Sequence, residues 1–266
     1  MNTKRWQPVS HRDSIAAIKQ ALQTVKEPTD SLLERLKADE RKGVQLALKQ
    51  WYNRFDAAQQ LIAKREEMLT YERAFQVKNY QVIAGVDEVG RGPLAGPVVA
   101  AAVILPQNTQ LIGIDDSKKL SFAKKQALYE AIKAEALAIG VGIVTEKTID
   151  EINIYEASKV AMLDALAQLE VQPEAVLVDA MPLIYKETAV LSLIKGDQKS
   201  ISIAAASIVA KVVRDQMMTD YAVTYPGYDF EHNFGYGTAK HLAGLESLGA
   251  CPIHRLTFSP VKKVLR

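Results

Sequence analysis

From residue 80 onward the chain alternates between two kinds of apolar pattern, and this alternation limits the fold more than any other feature. Five short apolar runs, at residues 82–86, 98–105, 138–145, 175–179 and 189–194, have the length and side-chain types of strands. Helical patterns occupy residues 122–137, 149–169 and 201–221, and a last one at 238–248 follows a loop rich in Gly, Tyr and Pro. The first three strands lie near one another in sequence, and the later ones alternate with helices. The pattern predicts an α/β domain over residues 80–266, with a five-stranded mixed sheet flanked by helices and a helical C-terminal segment.

Residues 1–78 read differently, as an α-helical N-terminal extension of two or three helices. Ile15, Ile18, Leu22 and Val25 recur at helical spacing, and Pro28 breaks the run. Ser31 with Glu34 three residues later has the form of a capping box. Past Gly43, the residues Val44, Leu48, Trp51, Phe55 and Ile62 share one helical face. Residues 1–80 hold 15 lysines and arginines against 10 acids, a net of +5, whereas the remainder holds 18 against 21, a net of −3. The basic excess leaves two readings of the extension open, a structural appendage or an auxiliary grip on nucleic acid. The acidic remainder can act on phosphate only through a local basic patch or through cations that invert the charge of a carboxylate site.

The single cysteine, Cys251, rules out an intramolecular disulfide and suits a reducing compartment. No secretory h-region opens the sequence and no apolar run is long enough to span a bilayer, so a cytoplasmic protein is expected. Nothing in the sequence demands more than a monomer, and protein partners are not legible in it.

The chemistry is suggested by acids at strand ends. Asp87 and Glu88 follow the first run, Asp179 ends the fourth, and Asp197 follows the fifth. Should these strands be neighbours, four carboxylates converge at one edge of the sheet, where ligand sites of open α/β sheets form. Clustered carboxylates repel, and hard divalent cations relieve the repulsion; oxygen-only ligands suit Mg²⁺ or Mn²⁺. Two such ions ~4 Å apart are a common arrangement for in-line phosphodiester hydrolysis, and Asp87, central in the group, is the expected bridging ligand. Adjacent strand residues point to opposite faces, so the pairing of Asp87 with Glu88 predicts that the strand stops or bulges there, as Gly90 and Gly92 would permit. Taken alone, the acids reach only as far as a metal-dependent phosphoesterase.

Longer motifs sharpen this. Asp87-Glu-Val-Gly-Arg-Gly-Pro-Leu-Ala-Gly-Pro97, Asp116-Ser-Lys-Lys-Leu-Ser121, Leu177-Val-Asp-Ala180, Lys195-Gly-Asp197, Ile203-Ala-Ala-Ala-Ser-Ile-Val-Ala-Lys211 and Gly235-Tyr-Gly-Thr238 occur in this order. Together they resemble the signature of type 2 ribonucleases H, specifically bacterial ribonuclease HII, over about residues 82–258. The resemblance implies a ribonuclease H-like fold, with Asp87, Glu88, Asp179 and Asp197 as catalytic metal ligands and two Mg²⁺ or Mn²⁺ ions during catalysis. The implied substrates are RNA–DNA hybrids and DNA duplexes with an embedded ribonucleotide, cut on the 5′ side to leave 3′-OH and 5′-phosphate ends. It further implies that Gly90, Arg91 and Gly92 read the 2′-hydroxyl, the group that separates RNA from DNA, and that Tyr236 packs on the adjoining sugar. Ser117, Lys118, Lys211 and Arg214 stand at motif positions expected to contact phosphates, the last two one helical turn apart.

The Gly-Arg-Gly and the helical N-terminus argue against the sister branch, ribonuclease HIII. His232-Asn-Phe234 varies the approach to Tyr236, and His254-Arg255 matches a family element without an evident role. A resolvase- or transposase-like nuclease would share the acids but has no reason to carry the two glycine motifs. A non-catalytic binder would be expected to have lost an acid.

Overall fold

The computed structural model describes residues 13–114 and 120–265. The chain forms two compact units, one ending at Lys64 and the other starting at Arg65. In the first, α1 (Ile15–Leu22) is capped by Ser14, whose side chain accepts from the Ala17 amide. Helix α2 (Ser31–Lys37) is capped by Asp30, so Ser31 is its first helical residue and not the cap of the expected box. Helix α3 (Lys42–Met68) follows. Ile18, Leu22, Leu33, Leu36, Val44, Leu48 and Trp51 form this unit's core, and the Trp51 indole donates to the Val25 carbonyl at 3.2 Å. Ile62, placed by its spacing on the same stripe, is exposed.

The second unit begins with the last turn of α3 and with α4 (Thr70–Gln76), so the described part of the N-terminal region holds four helices. Met68 and Leu69 already belong to a core built on the sheet. That sheet has five strands: β1 (Ile83–Val89), β2 (Val98–Ile104), β3 (Ala138–Val144), β4 (Ala175–Asp179) and β5 (Ala189–Leu193), in the order β3-β2-β1-β4-β5. The β1/β2 and β2/β3 pairs are antiparallel, and β1/β4 and β4/β5 are parallel. The sheet is therefore mixed, and β1 lies where the direction of pairing changes.

Period-two alternation sends these strands into two cores. Ala84, Val86, Ala100, Ala102, Val176 and Val178 pack with Ala157, Ala161, Met162 and Ala165 of α6 (Glu146–Ala167). Val99, Ala101 and Val103 pack with α5 (Phe122–Glu135) and α7 (Ile201–Thr224) on the other face. Glycine permits the close approach. A Cβ on Gly85 would lie 2.0 Å from the Ser202 carbonyl carbon of α7, and one on Gly142 would lie 2.0 Å from the Ala161 oxygen of α6. Alanines recur on these facing surfaces for the same reason.

Two devices set the helices against the sheet. Helix α6 breaks at Asn153 (φ 68°), whose side chain accepts from the Tyr155 and Glu156 amides and caps the helix anew. Helix α7 starts at the Ser200 cap, and the buried Glu72 carboxylate of α4 accepts from the Ser200 hydroxyl at 2.6 Å and the Ser202 amide at 3.1 Å. An acid at that end of a helix also complements its dipole. The chain finishes with α8 (Phe230–Asn233), α9 (Ala239–Leu248) and α10 (Ser259–Val264). Among the described residues no helix is long and apolar enough to cross a membrane.

Candidate active site

Strand register brings the acids together. The β1/β4 ladder ends at Val86↔Val178, so the next residues along both strands are Asp87 and Asp179. Asp87 also stands opposite Ala101, which faces α7, and its carboxylate hydrogen-bonds Ser207 of that helix. Asp179 has the same parity as Leu177, which packs against Ile203 of α7. Asp87 and Asp179 thus share the α7 face at the carboxyl ends of two parallel strands, next to the change of direction at β1. Asp197 lies in a 3-10 turn (Gly196–Gln198) just before α7. The preceding Gly196 amide donates to Asp179 Oδ1 at 2.6 Å, tying that turn to β4.

Glu88 differs from the expectation. The strand neither stops nor bulges: β1 continues in register to Val89, with Glu88 opposite Ala100. Its side chain leaves from the other face of the pleat, yet its carboxylate still feels the Asp179 charge. The regular ladder with β2 persists because only the β4 side of β1 falls away after Val86. Glu88 Oε1 receives Arg91 Nη1 at 3.2 Å, whereas Glu88 Oε2 is buried with no hydrogen-bond partner among the described residues.

The electrostatics follow from that geometry. Burial holds the Asp87 carboxyl well above the usual carboxylate range, and the charges of Glu88 and Asp179 raise it further. Burial pushes Glu88 up to about 7 even though Arg91 opposes the shift. Buried oxygens that repel one another, one of them orphaned, form a donor set that a hard divalent cation would satisfy. A tighter group of potential ligand atoms, Asp229, Glu231 and His232, sits on and beside α8. His232 and Glu231 are exposed there, and Asp229 is engaged by His232 and Lys240, as expected of a solvated surface cluster.

The loop after β1 and the segment around Tyr236 meet beside these acids. A Cβ on Gly92 would lie 3.4 Å from the Tyr236 ring, and Tyr236 is 45% exposed. Leu94 N–H donates to the Gly235 carbonyl at 2.8 Å. Gly90 has φ +100°, and any side chain there would strike Arg214.

Arg214 corrects an expectation. It is fully buried, and its guanidinium donates to the carbonyls of Pro97 (2.9 Å), Phe234 (2.9 Å) and Ala95 (3.1 Å), fastening the two loops to each other. A guanidinium so enclosed has no face for a phosphate. Lys211, one turn earlier, is half-buried, pairs with Asp215 at 2.6 Å and lies 4.7 Å over the Phe234 ring. Ser117 and Lys118 lie outside the described residues.

Sequence reasoning left three supports without a role: Ser207 beneath Asp87, Arg255, and the pairing of His254 with His241. The Cys251 amide donates to His254 Nδ1 at 2.9 Å, so His254 carries its proton on Nε2 and gives it to His241 Nε2 at 3.0 Å. His241 Nδ1–H then donates to the Tyr236 carbonyl at 2.9 Å. Both imidazoles are neutral in this chain of bonds, and burial pushes His254 down to about 4. Helical periodicity around His241 marks only a core position, so no sequence signal could have paired it with His254.

Comparison with known proteins agrees with this architecture. The family model for ribonuclease HII matches residues 84–261, and that for the ribonuclease HII N-terminal domain matches residues 14–76. Ribonuclease HII of Listeria monocytogenes is 57% identical over 251 residues, which cover 94% of this chain and 96% of that protein. The ribonuclease H2 structure from Pyrococcus horikoshii superposes with a TM-score of 0.62 at 28% identity, covering 69% of this chain and 96% of the other. Ribonuclease HII of Archaeoglobus fulgidus, solved in complex with PCNA, superposes with a TM-score of 0.57 at 27% identity and covers 67% and 95%. With both family models matched in order and more than half of its residues shared with a relative of nearly equal length, the chain belongs to the ribonuclease HII family and is a nuclease.

Proposed function

We propose that this chain hydrolyses the RNA strand of RNA–DNA hybrids and nicks duplex DNA on the 5′ side of a single embedded ribonucleotide, leaving 3′-OH and 5′-phosphate ends. The observation that carries the reading is the alignment of Asp87 and Asp179 at the end of the β1/β4 ladder, beside the exposed Arg91–Gly92 and Tyr236. Residues 80–266 supply the chemistry, and residues 1–78 are an extension to it.

Asp87, Glu88, Asp179 and Asp197 would hold two divalent cations, Mg²⁺ or Mn²⁺, which when bound lower the pKa of the attacking water and stabilise the leaving oxygen. Asp87 is held for this by Ser207, and Asp179 by the Gly196 amide. Gly90 and Gly92 let the backbone approach a sugar at its 2′-hydroxyl. The half-exposed Tyr236 ring offers a flat apolar face for the neighbouring deoxyribose. Lys211 is the one basic side chain of the α7 pair that retains access to solvent for a phosphate.

The test is a labelled DNA duplex with one ribonucleotide, beside an all-DNA duplex and a long hybrid, with Mg²⁺, Mn²⁺ or EDTA. One nick 5′ of the ribonucleotide, absent with EDTA and in all-DNA, is the expected result. Cleavage of the long hybrid alone would refute the single-ribonucleotide reading. Asp87→Asn should reduce cleavage by several orders of magnitude while far-UV circular dichroism is unchanged; near-normal turnover would refute the assignment of the acids.

A further inference from the structure

Arg255 is 0% exposed and touches no carboxylate through a hydrogen bond among the described residues. Its guanidinium donates to backbone oxygens of the loop after β1: Nη1 to Arg91 at 3.0 Å, Nη2 to Gly90, and Nε and Nη2 to Gly96 at 3.0 and 2.8 Å. Its other side rests on the Phe258 ring, 5.1 Å from the centroid, and its own amide donates to the Leu94 carbonyl at 2.9 Å. The environment opposes the charge: burial, with Arg214 nearby, pushes this guanidinium down to about 9. Isolated buried charge is costly, and a neutral side chain would fill the same volume at less cost.

What the guanidinium supplies is orientation. In a planar trans peptide the N–H points opposite to the C=O. The Gly90 carbonyl is turned inward to Arg255, so the Arg91 N–H of the same peptide is turned outward. The Arg91 carbonyl is also turned inward, so the Gly92 N–H is turned outward as well. Arg91 and Gly92 are exposed, and Gly92 adjoins the Tyr236 ring. Two consecutive amides therefore present their donors side by side on the surface that Tyr236 borders. Without a fixed partner, the glycine-flanked peptides could rotate at little cost.

We propose that Arg255 is a positioning residue for ribose recognition: by gripping the Gly90 and Arg91 carbonyls it aims the Arg91 and Gly92 amides at the sugar of the ribonucleotide. It touches neither substrate nor cation. This rests on the reading above, in which residues 90–92 face that sugar.

The test uses the full-length chain and Arg255→Lys, which keeps the charge but cannot span three carbonyls. On a duplex with one ribonucleotide, kcat/KM should fall roughly a hundredfold, as expected of misplaced recognition groups. The affinity for an all-DNA duplex and Mn²⁺ binding by calorimetry should stay within twofold of the parent, while the thermal midpoint falls because Lys leaves buried carbonyls without donors. In ¹⁵N spectra of the parent with EDTA, the Arg91 and Gly92 amides should shift on adding the ribonucleotide duplex and not the all-DNA duplex, and in Arg255→Lys that difference should vanish. A variant with parental kcat/KM on the ribonucleotide duplex would overturn the proposal, as would an equal loss of DNA affinity and metal binding. If Arg255→Lys fails to fold, the parental spectra decide: amides indifferent to the ribonucleotide overturn it. Should the parent itself fail to nick the ribonucleotide duplex, the reading of the substrate falls first, and that outcome is distinct from the variant's.

Discussion

Substituting Glu88 by Gln should stabilise the metal-free protein at neutral pH. The Glu88 side chain is 9% exposed, one of its oxygens has no partner among the described residues, and its pKa lies at about 7 against an ordinary 4.5. A carboxyl raised by that amount binds its proton more tightly in the folded than in the unfolded chain. Below pH 4.5 both states are protonated and the group is neutral in the balance. As pH climbs from 4.5 through 7 the unfolded state ionises first, and the native state loses roughly 3 kcal/mol relative to it, at 1.36 kcal/mol per pKa unit. Gln keeps the shape and removes the ionisation. It also brings a buried amide with donors to satisfy, so the net gain at pH 7.5 should be about 1–3 kcal/mol, falling to none at pH 4.5. Urea unfolding in EDTA at pH 4.5, 6 and 7.5 measures this. Far-UV circular dichroism is the suitable probe, because Trp51 lies in the other unit and its fluorescence reports there. Added Mg²⁺ should then reverse the ranking, since a cation that binds the native state stabilises the parent more than a variant that has lost a ligand charge. A Gln variant less stable than the parent by the same amount at every pH would refute the reasoning.

Two further outcomes follow from the packing and the histidine pair. Gly85→Ala should cost roughly 3 kcal/mol or more in the same urea assay, because its Cβ would sit 2.0 Å from a backbone carbon of α7 that cannot give way. His254, with a folded pKa of about 4 against 6.5, favours the neutral native state. Its stability is intact above pH 6.5, and up to roughly 3 kcal/mol is lost as pH falls toward 4. This slope opposes that of Glu88 over the same window, so thermal midpoints between pH 4.5 and 7 should fall more steeply on acidification in Glu88→Gln than in the parent, and less steeply in His254→Gln.

The outline of the fold was legible because each face of the sheet is covered. Strands buried on both sides read as continuous apolar runs, and β4 was placed to the residue. The course of β1 was not. Two acids in succession look like the end of a strand, yet the ladder to β2 carries on through Glu88 because pairing depends on the backbone, and the β2 residues opposite are alanines. The capping box at Ser31 also failed: Asp30, one residue earlier, caps the helix with its side chain accepting from the Leu32 amide. Acids at strand ends were visible as a pattern, but bringing Asp87 and Asp179 to adjacent positions required the order β2-β1-β4, which no local pattern encodes.

Arg214 and Arg255 mark where reading a sequence by residue type breaks down. A cation in a motif of a phosphate-cutting enzyme suggests a phosphate contact, and for Arg214 that inference was wrong. Both side chains spend their donors on carbonyls of residues 90–97 and 234, segments poor in regular secondary structure. Backbone outside a ladder still needs partners when buried, and a guanidinium, with five donors in a rigid plane, can satisfy several carbonyls at once. Lys could not, and a neutral amide has too few donors. The same arrangement bears on Glu88, whose Oε2 is buried with no hydrogen-bond partner among the described residues. An oxygen left without a donor suits a cation, but only if the surrounding loops do not collapse onto it. The buried arginines hold those loops by their backbone carbonyls and leave that oxygen unpaired.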